Sequence, residues 1–132
     1  MQEVLNYIRD CGVYYIATVE GNQPRVRPFG ALAEINGKLY ICTNNTKPCF
    51  AQMKANPRVE LCAMAADHTW VRLAATVTPD PSREIKVAML EGSPSLQRMY
   101  TPDDGIFEVL ELSDCTATFS SMGGGEPKVV TF

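Results

Sequence analysis

The dipeptide Asn36-Gly37 is the strongest hairpin signal in the chain, because both residues accept the positive φ that a tight two-residue turn requires. It joins one strand, Arg25 to Ile35, to a second, Lys38 to Cys42, and forces them antiparallel. A loop rich in threonine and asparagine follows, and a short helix from about Thr46 to Ala55 is closed by Asn56-Pro57. Thr46 is the expected N-cap, Pro48 is tolerated in the first turn, and Phe50 and Met53 supply the buried stripe. Arg25, Arg27, Thr43, Asn44, Lys47 and a helix N-terminus are thereby gathered around one loop. These are the groups that hold a phosphate monoester, and they point to a phosphorylated cofactor.

The flanking sequence is mostly strand. Val4, Leu5 and Ile8 have helical spacing and Gly12 ends that segment. Val13 to Val19, Arg58 to Met64, Thr69 to Thr78 and Ile106 to Phe119 complete six strands, the last bent or interrupted near Ser113-Asp114. Residues 20–24 form a turn, Ser82 caps a helix to about Leu90, and a helical turn runs through Tyr100. With no βαβ alternation, the pattern predicts a mainly β, single-domain antiparallel barrel over residues 1–132.

Composition narrows the function. A net charge of −3 leaves no basic track for nucleic acid, and no apolar run has the length of a membrane-spanning helix. The first residues lack the basic start and apolar centre of a signal peptide, so a cytoplasmic location is expected. Five cysteines without a CxxC pair, and the single His68, make no zinc set and suggest free thiols. Cys42 and Cys62 are expected to be buried and structural, whereas Cys49, in the first helical turn, is open to a reactive role. No nucleophile-and-base motif occurs, so any catalysis falls to a cofactor.

Each candidate has a plainer alternative. Arg25 and Arg27 alternate on one strand and share a face; salt bridges to Glu34 or Glu60 would explain them without a ligand. Lys47 opposes the helix dipole unless an anion is present, and is otherwise a solvated lysine. Thr43, Asn44 and Thr46 could serve only the turn backbone. Trp70 lies opposite the apolar set Val71, Leu73, Ala75 and Val77, suited either to a partner subunit or to the cofactor. Arg72 shares its face as an interface salt-bridge candidate, and His68 reads as a polar loop residue.

The order of Gln23-Pro24, Arg27-Pro28-Phe29-Gly30, Cys42-Thr43-Asn44, Asn56-Pro57-Arg58-Val59 and Trp70-Val71-Arg72, with the tail GGGEPKVVTF, resembles the pyridoxamine 5′-phosphate oxidase-like, FMN-binding split barrels. That resemblance implies a six-stranded split barrel, homodimeric, with FMN at the subunit interface. It places Arg27 at the start of the flavin-contacting strand, the backbone of Pro28, Phe29 and Gly30 along the ring edge, and Thr43 near the phosphate and ribityl chain. The expected cofactor-binding set is Arg25, Arg27, Pro28, Phe29, Gly30, Cys42, Thr43, Asn44, Lys47 and Trp70. The true oxidases carry an adjacent Arg-Lys pair where Pro48 and Cys49 stand here, and a C-terminal extension this sequence lacks, so vitamin B6 oxidation is not expected. The implied activity is hydride transfer from a reduced nicotinamide through FMN to an organic acceptor. Alternatives are a non-catalytic flavin-binding or stress-response protein, and an F420-dependent reductase.

Overall fold

The computed structural model describes all of residues 1–132. Helix α1 (Gln2–Cys11) buries Val4, Leu5 and Ile8 and stops at Gly12, whose φ of 85° suits glycine. Strands β1 (Tyr14–Glu20) and β2 (Gln23–Phe29) form a hairpin tighter than the sequence suggests: Glu20 pairs with Gln23 across Gly21-Asn22. Strands β3 (Ala33–Ile35) and β4 (Lys38–Asn44) form the expected Asn36-Gly37 hairpin, with φ values of 53° and 80°. Helix α2 (Pro48–Ala55), β5 (Arg58–Met64) and β6 (Thr69–Asp80) follow. Helices α3 (Arg83–Glu91) and α4 (Pro94–Gln97), then β7 (Phe107–Ser121) and β8 (Lys128–Thr131), complete the chain.

The barrel is antiparallel and mainly β as expected, with eight strands rather than six. The segment Arg25 to Ile35 divides into β2 and β3, which pair with different neighbours, and the tail adds β8 to β7. The order β2-β1-β5-β6-β7-β4-β3 puts β2 and β3 at opposite edges of one sheet, although only Gly30, Ala31 and Leu32 separate them in sequence. A flat sheet of that order would hold those edges roughly 29 Å apart. The link can span at most about 14 Å. The sheet must therefore curl until its edges meet along a seam. Tyr14 Oη donates to the Ala31 carbonyl (2.6 Å) and Arg9 Nε to that of Leu32 (3.2 Å), which fixes the link in place.

Val71, Leu73, Ala75 and Val77 face inward with Ile16, Leu61 and Ile41, packed beneath α1 and α2. A smaller cluster of Tyr40, Cys42, Phe107 and Val109 packs under α3, so β4 is buried on both faces. Strand β7 bends without breaking: its pairing with β6 shifts between Ala74 and Thr76, beside Asp114 at φ 50°. Ser82 caps α3 by accepting from the Ile85 N–H at 3.4 Å. No helix is long and apolar enough to cross a membrane.

Two local expectations are corrected. Cys62 is exposed, because β5 alternates strictly and places Cys62 with Glu60 and Met64 on the outer face. Thr46 does not cap α2: its hydroxyl donates to Asn44 Oδ1 (2.5 Å), and Lys47 takes the N-cap position without a side-chain cap.

Candidate functional site

A cavity of about 400 Å³ opens where β2 runs into the link between the two sheet edges. Strand β2 supplies one wall through its inner face, since Arg27 lies opposite Ile16 and Phe29 opposite Tyr14 in the β1–β2 register. The chain then passes along the cavity through Pro28, Gly30 and Ala31. Cys42 and Thr43 at the end of β4, with Lys47 and Cys49 at the start of α2, form the floor. The far wall is the segment around α4, with Ser93, Ser95, Leu96, Met99 and Tyr100.

Seven of the ten residues expected at a cofactor site converge here: Arg27, Pro28, Phe29, Gly30, Cys42, Thr43 and Lys47. Arg25 lines an adjoining cavity that shares Arg27, Lys47 and Cys49 with the first. Asn44 sits just behind the wall, buried. Its Oδ1 accepts from the Thr46 N–H and hydroxyl, and its Nδ2 donates to the Tyr100 hydroxyl at 2.8 Å. Trp70 lies elsewhere, half-buried on the outer face of β6 opposite Met64 and Ser120. His68 occupies the β5–β6 turn at φ 67°, exposed and remote from the cavity lining.

The charge at the site is one-sided. Arg27 and Lys47 line this cavity and no carboxylate does, whereas Glu20 joins them only in the adjoining one. Lys47 forms no ion pair within the chain. Arg25 is neutralised, though not by the partners expected: its guanidinium donates to Glu20 (2.9 and 3.2 Å), while Glu60 faces Arg72 at 3.9 Å on the outer surface. Arg25 holds the Glu20 carboxyl below its ordinary range through those hydrogen bonds and its charge.

Arg27 is held by neutral oxygens instead. Its Nη1 donates to Thr18 Oγ1 (2.7 Å) and to the Ile16 carbonyl (3.4 Å), and its Nη2 to Gln52 Oε1 (2.6 Å). Sequence reasoning passed over Thr18 and Gln52. The available signal was a threonine on the buried face of β1 in register with Tyr14 and Ile16, and a glutamine one residue before the buried Met53.

Burial pushes Cys42 up to about 12, only partly opposed by the Lys47 charge, so it stays protonated. Cys49 is also buried, with its sulfur 3.4 Å from Thr43 Oγ1. Pro48 and Cys49 bring no cation to the helix start, which leaves that charge to Lys47.

The donor set suits a phosphorylated, planar ligand. Arg27, Thr43 and Lys47 offer charged and hydroxyl donors at one end, and Phe29, Ala31 and Leu96 offer apolar surface beyond. Cavities of this size fall within the range typical of cofactor sites.

Comparison with known proteins bears on the family and the fold. The sequence model of the family described as pyridoxamine 5′-phosphate oxidase matches residues 1–111. A NimC/NimA family protein from Clostridium acetobutylicum is 48% identical over 100% of this chain and 92% of its own, with a TM-score of 0.95. General Stress Protein 26 from Bacillus anthracis shares the fold at 15% identity, with a TM-score of 0.78 over 99% and 97% of the two chains. A pyridoxamine 5′-phosphate oxidase-related, FMN binding protein from Nostoc punctiforme does so at 13% identity, with a TM-score of 0.70 over 99% and 95%. Among curated proteins, none matches significantly. With a family match reaching residue 111 and a full-length relative at 48% identity, this chain belongs to the pyridoxamine 5′-phosphate oxidase family of split barrels.

Proposed function

We propose that the chain is an FMN-binding flavoprotein and acts as a small oxidoreductase, moving a hydride from a reduced nicotinamide to an organic acceptor. The observation that carries this reading is the convergence of Arg27, Thr43 and Lys47 at one end of a carboxylate-free cavity whose remaining wall is largely apolar. The description of the Nostoc punctiforme relative as FMN binding supports the same cofactor. FMN, when bound, supplies the hydride acceptance and donation that no side chain here can provide. The protein's part is orientation. Lys47 and Arg27 would hold the phosphate, Thr43 would offer it a hydroxyl, and Pro28 to Gly30 would line the rest of the site. Leu96, Met99 and Tyr100 exclude water from the far side.

The reading includes a homodimer that completes the site. One row of outward-facing residues, Pro28, Tyr15, Cys62, Arg72, Thr118 and Val129, crosses six strands of the sheet. Tyr15, Val26, Met64 and Val129 are each more than half exposed, and Trp70 lies beside Met64. So much apolar surface on one sheet face fits association with a second copy by a two-fold axis. Pro28 belongs both to that face and to the cavity wall, which would bring the partner to the cofactor.

The decisive experiment is the absorption spectrum of purified protein, followed by titration of the apoprotein with FMN and riboflavin. A flavin spectrum and at least about tenfold preference for FMN are expected, since charge-assisted bonds to the phosphate supply the difference. A deazaflavin spectrum would replace FMN by F420. Equal affinity for the two flavins would overturn the phosphate site. Holoprotein that fails to oxidise a reduced nicotinamide with a quinone or nitro acceptor would leave a flavin-binding protein without the oxidoreductase role.

A further inference from the structure

Beneath the cavity lies a polar cluster in an otherwise apolar wall. Thr18 is 1% exposed and Gln52 is 7% exposed. Thr18 Oγ1 donates to Gln52 Oε1 at 2.6 Å, and the same two oxygens accept from Nη1 and Nη2 of Arg27 at 2.7 and 2.6 Å. Gln52 Nε2 in turn donates to Glu20 Oε2 at 3.4 Å, and Glu20 holds Arg25 through its other oxygen. Every buried polar side-chain atom has a partner. The cluster is complete without a ligand, and it is built around one edge of one guanidinium.

Arginine has five N–H donors in a fixed plane. Both Nη1 donors of Arg27 are used, on Thr18 and Ile16, and one Nη2 donor is used on Gln52. What remains is Nε–H and the second Nη2–H, the pair of parallel donors that matches two oxygens of a phosphate or carboxylate. Arg27 lines both cavities, and these two donors are the ones its contacts within the chain leave for a molecule there. A carboxylate in place of Gln52 would have held the guanidinium equally well while cancelling its charge. The neutral amide holds it and leaves the charge for a ligand.

We propose that Gln52 and Thr18 are positioning residues for Arg27: they grip the inner edge of its guanidinium so that the Nε–H edge is presented, already oriented, to an oxyanion in the cavity. This rests on the reading of the cavity as a phosphorylated-cofactor site and names the residues that set its preference for the phosphate. Pre-orientation matters because the rotamer freedom of a long arginine is lost before the ligand arrives rather than upon binding.

The test uses the full chain as wild type, Gln52→Leu, Thr18→Val, Arg27→Ala and the double variant Gln52→Leu/Arg27→Ala. Side-chain 15N NMR of the ligand-free protein should show the Arg27 guanidinium with restricted rotation in wild type and averaged signals in Gln52→Leu. Inorganic phosphate should shift the Arg27 Nε resonance in wild type and far less in the variant. Gln52→Leu and Thr18→Val should each weaken FMN about tenfold and riboflavin by no more than about twofold. Gln52→Leu should then have no further effect once Arg27 is alanine, since the two act through one contact. Equal loss of both flavins, or a Gln52→Leu effect that survives in Arg27→Ala, would overturn the proposal. If wild type binds neither flavin, the cofactor reading fails by itself, and the NMR and phosphate measurements still decide the positioning. Should Gln52→Leu not fold, the near-isosteric Thr18→Val carries the test. If neither folds, the cluster is purely structural and the proposal is wrong.

Discussion

Asn44 and Tyr100 are joined side chain to side chain at 2.8 Å across 56 positions of sequence, tying the end of β4 to the outer wall of the cavity. The same asparagine accepts both donors of Thr46, so its polar atoms are committed to the scaffold. Asn44→Ala should therefore destabilise the fold by about 1–3 kcal/mol, from the loss of three part-buried hydrogen bonds worth about 1 kcal/mol each. Tyr100→Phe should reproduce the part of that loss that belongs to the bond between them. Urea unfolding of both variants checks this. A large drop in flavin affinity for Asn44→Ala with unchanged stability would instead make Asn44 a direct ligand contact.

Arg27→Ala and Lys47→Ala should each raise the dissociation constant for FMN by about tenfold or more and leave riboflavin almost unchanged. Thermal unfolding of the apoprotein should separate the two residues. Lys47 is exposed and unpaired, so its loss should be silent, whereas Arg27 holds Thr18 and Gln52 and its removal should lower the midpoint. An unfolded Lys47→Ala apoprotein would show that the lysine is structural.

The outer sheet face gives a prediction with two independent readouts. If the proposed dimer completes the cofactor site, Trp70→Glu should shift sedimentation from dimer to monomer and release flavin together, since binding at a shared interface links the two. In the monomer the exposed Cys62 thiol, its pKa raised by partial burial and by Glu60, should react with a thiol reagent at alkaline pH, and association should protect it. Cys42 and Cys115, pushed up by burial to about 12 and about 11, should react only on unfolding. A stable monomer holding a full complement of flavin would rule out the interface.

Acid should loosen the cavity wall in a defined direction. Asp104 accepts the backbone N–H of Phe107, Thr101 and Ile106, and these bonds hold its carboxyl below the ordinary aspartate value of 3.8. A carboxyl lowered in the folded state stabilises it above the ordinary value and loses that contribution as pH falls through the lowered one. Stability followed by denaturant melts should be flat near neutrality and decline on acidification below about pH 4. Asp104→Asn should flatten that decline. An unchanged acid slope in the variant would remove Asp104 from the account.

How far the sequence could be read depended on how local the cause was. Asn36-Gly37, Gly12 and the Ser82 cap act over a few residues, and each was legible. The split of Arg25 to Ile35 into two strands was hidden, because both halves look alike in composition and only the barrel assigns them opposite edges. Cys62 was misplaced because RVELCAM reads as an apolar run, although its strict alternation sets Cys62 with Glu60. At the site, the residues that meet a ligand share chemistry that a reader can recognise. Gln52 and Thr18 act through Arg27 from 25 and 9 positions away, a relation that exists only after folding.

The three-residue link between opposite edges has a dynamic consequence. Strands β2 and β3 are the two ends of the strand order, and the cavity is lined by β2 and by Gly30 and Ala31 of the link between them. Edge strands open more readily than central ones. A molecule lodged in the cavity would rest on β2 and on the link that leads to β3, and so would work as a clasp. Its residence time is then governed by how often the seam gapes, so variants that stiffen residues 30–32 can slow departure without adding a single contact. Amide exchange in β2 and β3 should fall together when the clasp closes, although the two strands share no ladder.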